Sequence, residues 1–168
     1  MPKPRARELG IPLEGTPGPL NAITDLPGIE VGYTTLIEGD SIRTGVTILH
    51  PRGKENHDPV FGGWFAMNGN GELTGAAWLE EGGFLEGPIG LTNTHSVGVV
   101  RDAIIAWEEQ HKALFQMWSL PLVTETADGW LSDMYGQHVQ AEHAWAALDG
   151  AQGGPLAEGN VGGGTGMI

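Results

Sequence analysis

The apolar positions fall into runs of two kinds. Ile29-Glu30-Val31-Gly32-Tyr33-Thr34-Thr35-Leu36 and Gly45-Val46-Thr47-Ile48-Leu49-His50 are short and rich in β-branched side chains, which predicts two strands. Glu38-Gly39-Asp40-Ser41 between them has hairpin composition. Val60 to Met67 predicts a third strand, with Gly62-Gly63 marking a bulge or close packing. Asn68-Gly69-Asn70-Gly71-Glu72 is the strongest turn signal, because Asn-Gly tolerates positive φ. Leu73 to Glu81 then suits a short helix ended by Gly82-Gly83, and Ile89 to Thr92 a further strand.

A helical period takes over next. Ser96 is a natural N-cap for a helix running to about Lys112. Val97, Val100, Ile104 and Trp107 share one face, with Arg101, Glu108 and Glu109 away from it. The run from Trp118 to Val123 has the composition of a buried strand; Glu125 stands at its end and Asp128-Gly129 supplies a turn. Residues 129–139 form a loop with one helical turn, and Ala141 to Leu148 a second helix stopped by Asp149-Gly150. Residues 1–27 carry Pro2, Pro4, Pro12, Pro17, Pro19 and Pro27, an irregular arm that needs a surface to lie on, such as another subunit. The order of elements predicts a single α/β or α+β domain with helices layered on a sheet.

Composition narrows the function classes. The chain of 168 residues carries Lys+Arg 8 against Asp+Glu 21, a net charge of −13. Nucleic acid and anionic membrane are poor partners for it, since both require clustered cations. The acidic balance suits a substrate bearing an ammonium group, and equally suits plain solubility. There is no Cys, hence no disulfide and no thiolate chemistry, which is compatible with a cytoplasmic location. No apolar run is long enough for a membrane span, and the first residues carry no secretory pattern. The 28 Gly, against six Trp that argue for a packed fold, point to many tight turns and close backbone approaches.

Motifs of other chemistries are weak. The histidines His50, His57, His95, His111, His138 and His143 lack metal-ligand spacing, so neither a metal nor a cofactor is expected. A Ser-His-Asp triad stays open, though no Gly-x-Ser-x-Gly elbow is present. Gly69 to Gly75 comes near GxGxxG with one residue too many, and Gly159 to Gly166 lacks the Lys of a P-loop. Asn93-Thr94-His95-Ser96 at the start of the long helix could bind a substrate or simply cap the helix.

Six segments together are more specific. They are Asn21 to Gly28, Gly32-Tyr33-Thr34, Arg43 to Thr47, Asn68 to Gly75, Leu91 to Gly98, and Glu158 to Met167. In this order they resemble the L-aminopeptidase D-esterase/amidase family, also called β-peptidyl aminopeptidases, over nearly the whole chain. The resemblance implies a layered α/β/β/α sandwich reminiscent of N-terminal nucleophile hydrolases. It further implies a precursor that cuts itself before a serine, which then acts as nucleophile with its own α-amine available for proton transfer. The assembled enzyme would release N-terminal residues from peptides, amides or esters without cofactor, typically as a tetramer of αβ pairs.

Two departures accompany the resemblance. The family's α region continues well beyond the glycine-rich motif, so residues 1–168 correspond to its N-terminal part, an incomplete domain, and the nucleophile is expected on a separate β chain. The family pattern Glu-Thr-Tyr-Asp-Gly, whose tyrosine stabilises the transition state, stands here as Glu125-Thr126-Ala127-Asp128-Gly129. Ala127 has no donor. By resemblance Glu125 is the carboxylate that holds the substrate's free ammonium, Trp118 a pocket wall, and Asn68 and Asn93 either site-lining or loop-shaping residues. The alternatives are a catalytically silent binding or scaffolding subunit, a nucleotide-binding module, and the related ornithine acetyltransferase fold.

Overall fold

A computed structural model describes residues 4–168; Met1, Pro2 and Lys3, the start of the expected arm, lie outside the described residues. Strands β1 (Glu30–Glu38) and β2 (Ile42–His50) form the expected hairpin, paired from Glu38↔Ile42 to Glu30↔His50. β3 (Val60–Phe61) and β4 (Phe84–Leu85) make a separate two-stranded sheet, with helix α1 (Ala76–Gly82) between them in sequence. β5 (Ile89–Asn93), α2 (Val97–His111), β6 (Leu122–Thr126) and α3 (Ala141–Asp149) follow. The main sheet has the order β1-β2-β5-β6 and is antiparallel except for β5 and β6. That parallel pair requires a crossover, which α2 supplies.

Both long helices cover one face, α2 over β5 and β6 and α3 over β1 and β2. Their contact with the sheet is the core: Val46, Ile48, Val100, Ile104, Val123 and Leu148 have no exposed surface. Each such side chain contributes about 1.5–3 kcal/mol by leaving water. Indole N–H groups tie the two helices together, Trp107 Nε1 donating to Asp149 Oδ1 (2.7 Å) and Trp145 Nε1 to Ala103 O (3.0 Å). The opposite face is covered by a short 3-10 turn, Gly162–Gly164. Only glycine fits there, because a Cβ at Gly163 would lie 2.6 Å from Leu91 O. The layered α/β reading holds for this part of the sandwich; a second large sheet with its own helices is not among the described residues.

Several local expectations are corrected. Strand pairing stops at Phe61, and residues 62–67 run as irregular chain whose Phe65 and Met67 are exposed. An apolar run without a buried face has nothing to hold it in a sheet. The Asn68 turn does not use positive φ; its side chain instead accepts from Asn70 N–H (2.8 Å). Ser96 is buried and makes no capping bond, since a 3-10 turn, Thr94–Ser96, leads directly into α2. The strand expected from Trp118 begins only at Leu122. The two ends of the proline-rich arm rest on this chain, with Arg5 paired to Glu158 (2.7 Å) and the Thr24 hydroxyl donating to Gly154 O (2.7 Å), while residues 8–19 between them are exposed.

Glu108 is the largest surprise on α2. Expected to face outward, it is 3 % exposed, because the segment after the helix folds back and the Ser119 hydroxyl donates to its carboxylate. Burial pushes its carboxyl up to about 7; the Ser119 hydrogen bond opposes the shift and neighbouring Glu86 adds to it. An acid with a raised folded-state pKa stabilises the fold while protonated, so this contribution fades as pH rises from 4.5 to about 7. Buried His50, lowered by burial from 6.5 to about 4, acts in the opposite sense and loses its contribution as pH falls through that window. Glu108→Gln keeps the shape without the titration. It is expected to raise the melting temperature more at pH 8 than at pH 4.5, at roughly 2–4 °C per kcal/mol recovered. Thermal unfolding followed by circular dichroism at the two pH values checks this, and equal shifts would exclude Glu108 as the titrating group.

Candidate active site

β6 lies at the edge of the main sheet, and its free side is taken by the segment after the Asn-Gly turn. Leu73 bridges antiparallel to Thr124. Thr74 N–H donates to Val123 O (3.0 Å), Val123 N–H donates to Thr74 Oγ1 (2.9 Å), and that hydroxyl donates to Pro121 O (2.6 Å). The Thr124 hydroxyl in turn donates to Glu72 O (3.3 Å). This clamp lays Gly71 against Glu125. A Cβ on residue 71 would sit 2.9 Å from Glu125 Oε1, so a side chain there would displace the carboxylate.

Glu125 stands near the C-terminal end of β6, opposite Thr92 of the parallel neighbour β5. Ligands of open α/β sheets gather at such strand ends. Its Oε2 is buried and has no hydrogen-bond partner among the described residues. A buried carboxylate oxygen without a donor is costly, so the position suits a cationic or strongly donating ligand. Glu125 also belongs to two adjoining clefts. One, of about 230 Å³, is walled by Trp64, Phe65, Met67 and Leu73 together with Asn68 and Asn70. The other, of about 410 Å³, is lined by Gly69, Asn70, Gly71, Glu72, Thr94 and Ala127. Asn70, Gly71, Glu72 and Glu125 line both; the first adds the apolar side chains and the second adds Thr94 and Ala127.

The structure therefore brings Glu125, Ala127 and Asn68 to one place and leaves Trp118 out. Trp118 precedes β6, is more than half exposed, and lines neither cleft; the indole on the cleft wall is that of Trp64. Asn93 is buried and donates through Nδ2 to Thr44 Oγ1 (2.8 Å), while its Oδ1 has no partner among the described residues. Asp128, expected as a turn residue, is also buried. Burial pushes its carboxyl up, the nearby Thr44 hydroxyl opposes this, and neither oxygen has a partner in hydrogen-bonding geometry. Trp64 was not singled out from sequence, whereas Thr94 belongs to the Asn93–Ser96 segment read as a possible substrate-binding stretch, and Gly71 and Glu72 to the Asn-Gly turn. Among the described residues, no three His, Asp or Glu side chains are gathered to hold a metal ion.

The glycine-rich terminus offers no cradle. Gly162 N–H donates to Thr35 Oγ1 (2.9 Å) and Gly163 N–H to Thr47 Oγ1 (3.0 Å), so both donors are already engaged by the sheet. No helix of the described residues is long and apolar enough to cross a membrane.

Known proteins resemble the chain over most of its length. The model of peptidase family S58 matches residues 21–168. The chain is 54% identical to the β-peptidyl aminopeptidase BapA of Sphingosinicella microcystinivorans, over 98% of this chain and 43% of that protein. Among solved structures it superposes on a β-aminopeptidase of Burkholderia sp. with a TM-score of 0.89 at 54% identity, covering 98% of this chain and 48% of the other. It superposes on the L-aminopeptidase D-Ala-esterase/amidase of Ochrobactrum anthropi with a TM-score of 0.90 at 43% identity, covering 99% and 49%. The latter is described as a prototype of the serine aminopeptidases and a variant of the Ntn hydrolase fold. The chain thus has the fold of these hydrolases and spans about half the length of the relatives it matches.

Proposed function

The chain belongs to peptidase family S58, and on that premise we propose that it is the amine-recognising part of a serine aminopeptidase. The observation that carries this is the buried, unpartnered Oε2 of Glu125 between two clefts at the end of β6. An aminopeptidase must select a free ammonium. A carboxylate held away from water does so through a charge-assisted hydrogen bond and rejects substrates whose amine is blocked. The nucleophile belongs to a second polypeptide, a serine exposed at its N-terminus by autoproteolysis and served by its own α-amine. Substrates are then peptides, amides or esters with a free amine, and the working particle is an assembly of such pairs in the cytoplasm. The resemblance of the six sequence segments supports these finer points.

Ala127 favours a second reading, a binding subunit that keeps the fold with little turnover. It lines the larger cleft where the family pattern has a tyrosine, and its methyl group can donate nothing. The two readings separate experimentally.

In the chain assembled with its serine-bearing partner, Glu125→Gln is expected to raise KM for aminoacyl p-nitroanilides by about 10- to 100-fold, the worth of a hydrogen bond to a charged group. An unchanged KM in an active assembly removes Glu125 as the ammonium ligand. Ala127→Tyr is expected to raise kcat by about 10²–10³-fold, the usual effect of one oxyanion donor. If kcat does not move in an active assembly, another group already fills that role; if neither form turns over, the binding-subunit reading stands.

A further inference from the structure

Two Asn-Gly steps follow one another in the loop before α1, Asn68-Gly69 and Asn70-Gly71, and Asn does not precede Gly elsewhere in the chain. All four residues are exposed, but the fold treats the two asparagines differently. Asn68 Oδ1 accepts the Asn70 N–H (2.8 Å), which ties that side chain to the backbone two residues on. The Asn70 side chain has no hydrogen-bond partner among the described residues, and neither has the Gly71 N–H. Residues 69–71 form a bend outside any helix or strand, so no ladder holds the Gly71 nitrogen in place. Gly71 is also prevented from carrying a side chain, since a Cβ there would lie 2.9 Å from Glu125 Oε1. The contact that fixes the acid thereby leaves the nitrogen after Asn70 without steric cover.

We propose that Asn70 is a site of spontaneous covalent modification, deamidation through a cyclic imide, and that it reacts ahead of Asn68. The Gly71 nitrogen gives up its proton and bonds to Asn70 Cγ; the Cγ–Nδ2 bond breaks, and Nδ2 leaves with that proton as ammonia. Water then opens the five-membered imide at one of its two C–N bonds. Opening at Cγ leaves an aspartate in place of Asn70. Opening at the main-chain carbonyl leaves an isoaspartyl link, in which the former side-chain methylene lengthens the backbone. Either product adds a carboxylate to the two clefts that Asn70 lines with Glu72 and Glu125. The isoaspartyl product also shifts Gly71 away from its contact with Glu125. The negative potential of Glu72 and Glu125 disfavours loss of the Gly71 proton, an effect that solvent and salt around the exposed loop screen. Turning Asn68 Cγ onto the Gly69 nitrogen, by contrast, costs the hydrogen bond that its Oδ1 makes. The modification depends on this loop alone and stands whether or not Glu125 holds an ammonium.

Ageing the 168-residue chain at mildly alkaline pH tests this. Cleavage after Glu55 and Glu72 gives a peptide that holds Asn56, Asn68 and Asn70 together. Tandem mass spectrometry reads the exchange of amide for acid at each position, and enzymatic methylation of isoaspartate reads the second product. In the folded chain, conversion at Asn70 is expected to outpace that at Asn68 by about two- to tenfold, the worth of one hydrogen bond. In denaturant, where that bond is gone, the two steps are expected to react at similar rates. Equal rates in the folded chain, Asn68 ahead of Asn70, or no change at Asn70 over a time in which the denatured chain converts there overturns the proposal. Asn70→Gln is expected to remove the first acidic species that ageing produces on ion exchange, and its undiminished appearance in that variant also overturns it.

Discussion

Three hydrogen bonds centred on Thr74 hold the site together: its N–H to Val123 O, Val123 N–H to its hydroxyl, and that hydroxyl to Pro121 O. The residues they join are about fifty positions apart in sequence. Without them β6 would present a bare edge, and the Gly-rich loop before α1 would have no fixed place beside it. With them, Gly71 is pressed against the Glu125 carboxylate and Leu73 is registered to Thr124. The position of Glu125 and the two clefts around it are consequences of that clamp. Its rigidity in turn comes from Val123, which is wholly buried against α2.

What could be read from sequence divides along the same line. The β1–β2 hairpin, α2 and α3 follow from patterns within a dozen residues, and they stand where those patterns place them. Val100, Ile104 and Trp107 were legible as a core face because helical periodicity alone brings them together. Glu108 was not, since its burial depends on Ser119 returning over the helix, a tertiary event with no local signature. The same holds for the site. Glu125 stood out as an acid at a strand end, strengthened by family resemblance. Trp64 and Leu73 did not, because their relation to Glu125 exists only once the clamp forms. The run from Val60 to Met67 misled in its second half for a related reason: apolar composition normally means a buried strand, and here Trp64 to Met67 line an open cleft.

Net charge also gains meaning once it has a location. An overall balance of −13 is compatible with mere solubility. Glu72 and Glu125 lining one cleft, with no Lys or Arg among its lining residues, is a more specific statement. Two carboxylates that share a concave surface focus a negative potential into it, which concentrates ammonium-bearing molecules and repels carboxylates and phosphates. The acidic surface and the orphan oxygen of Glu125 therefore favour the same class of ligand.

The glycines provide an independent check on that conclusion, because glycine-rich loops most often invite an anion. Such loops bind phosphate by aiming free N–H groups at it. Here the N–H groups of Gly162 and Gly163 are taken by Thr35 and Thr47, and Gly163 is glycine because the Leu91 carbonyl leaves no room for a Cβ. Gly71 is likewise explained by the nearness of a carboxylate, the opposite of an anion seat. Close approach between backbone and sheet, or backbone and acid, accounts for these glycines without any bound nucleotide. Of the loops that looked most like phosphate cradles in the sequence, one packs against the Glu125 carboxylate and the other covers the open face of the sheet.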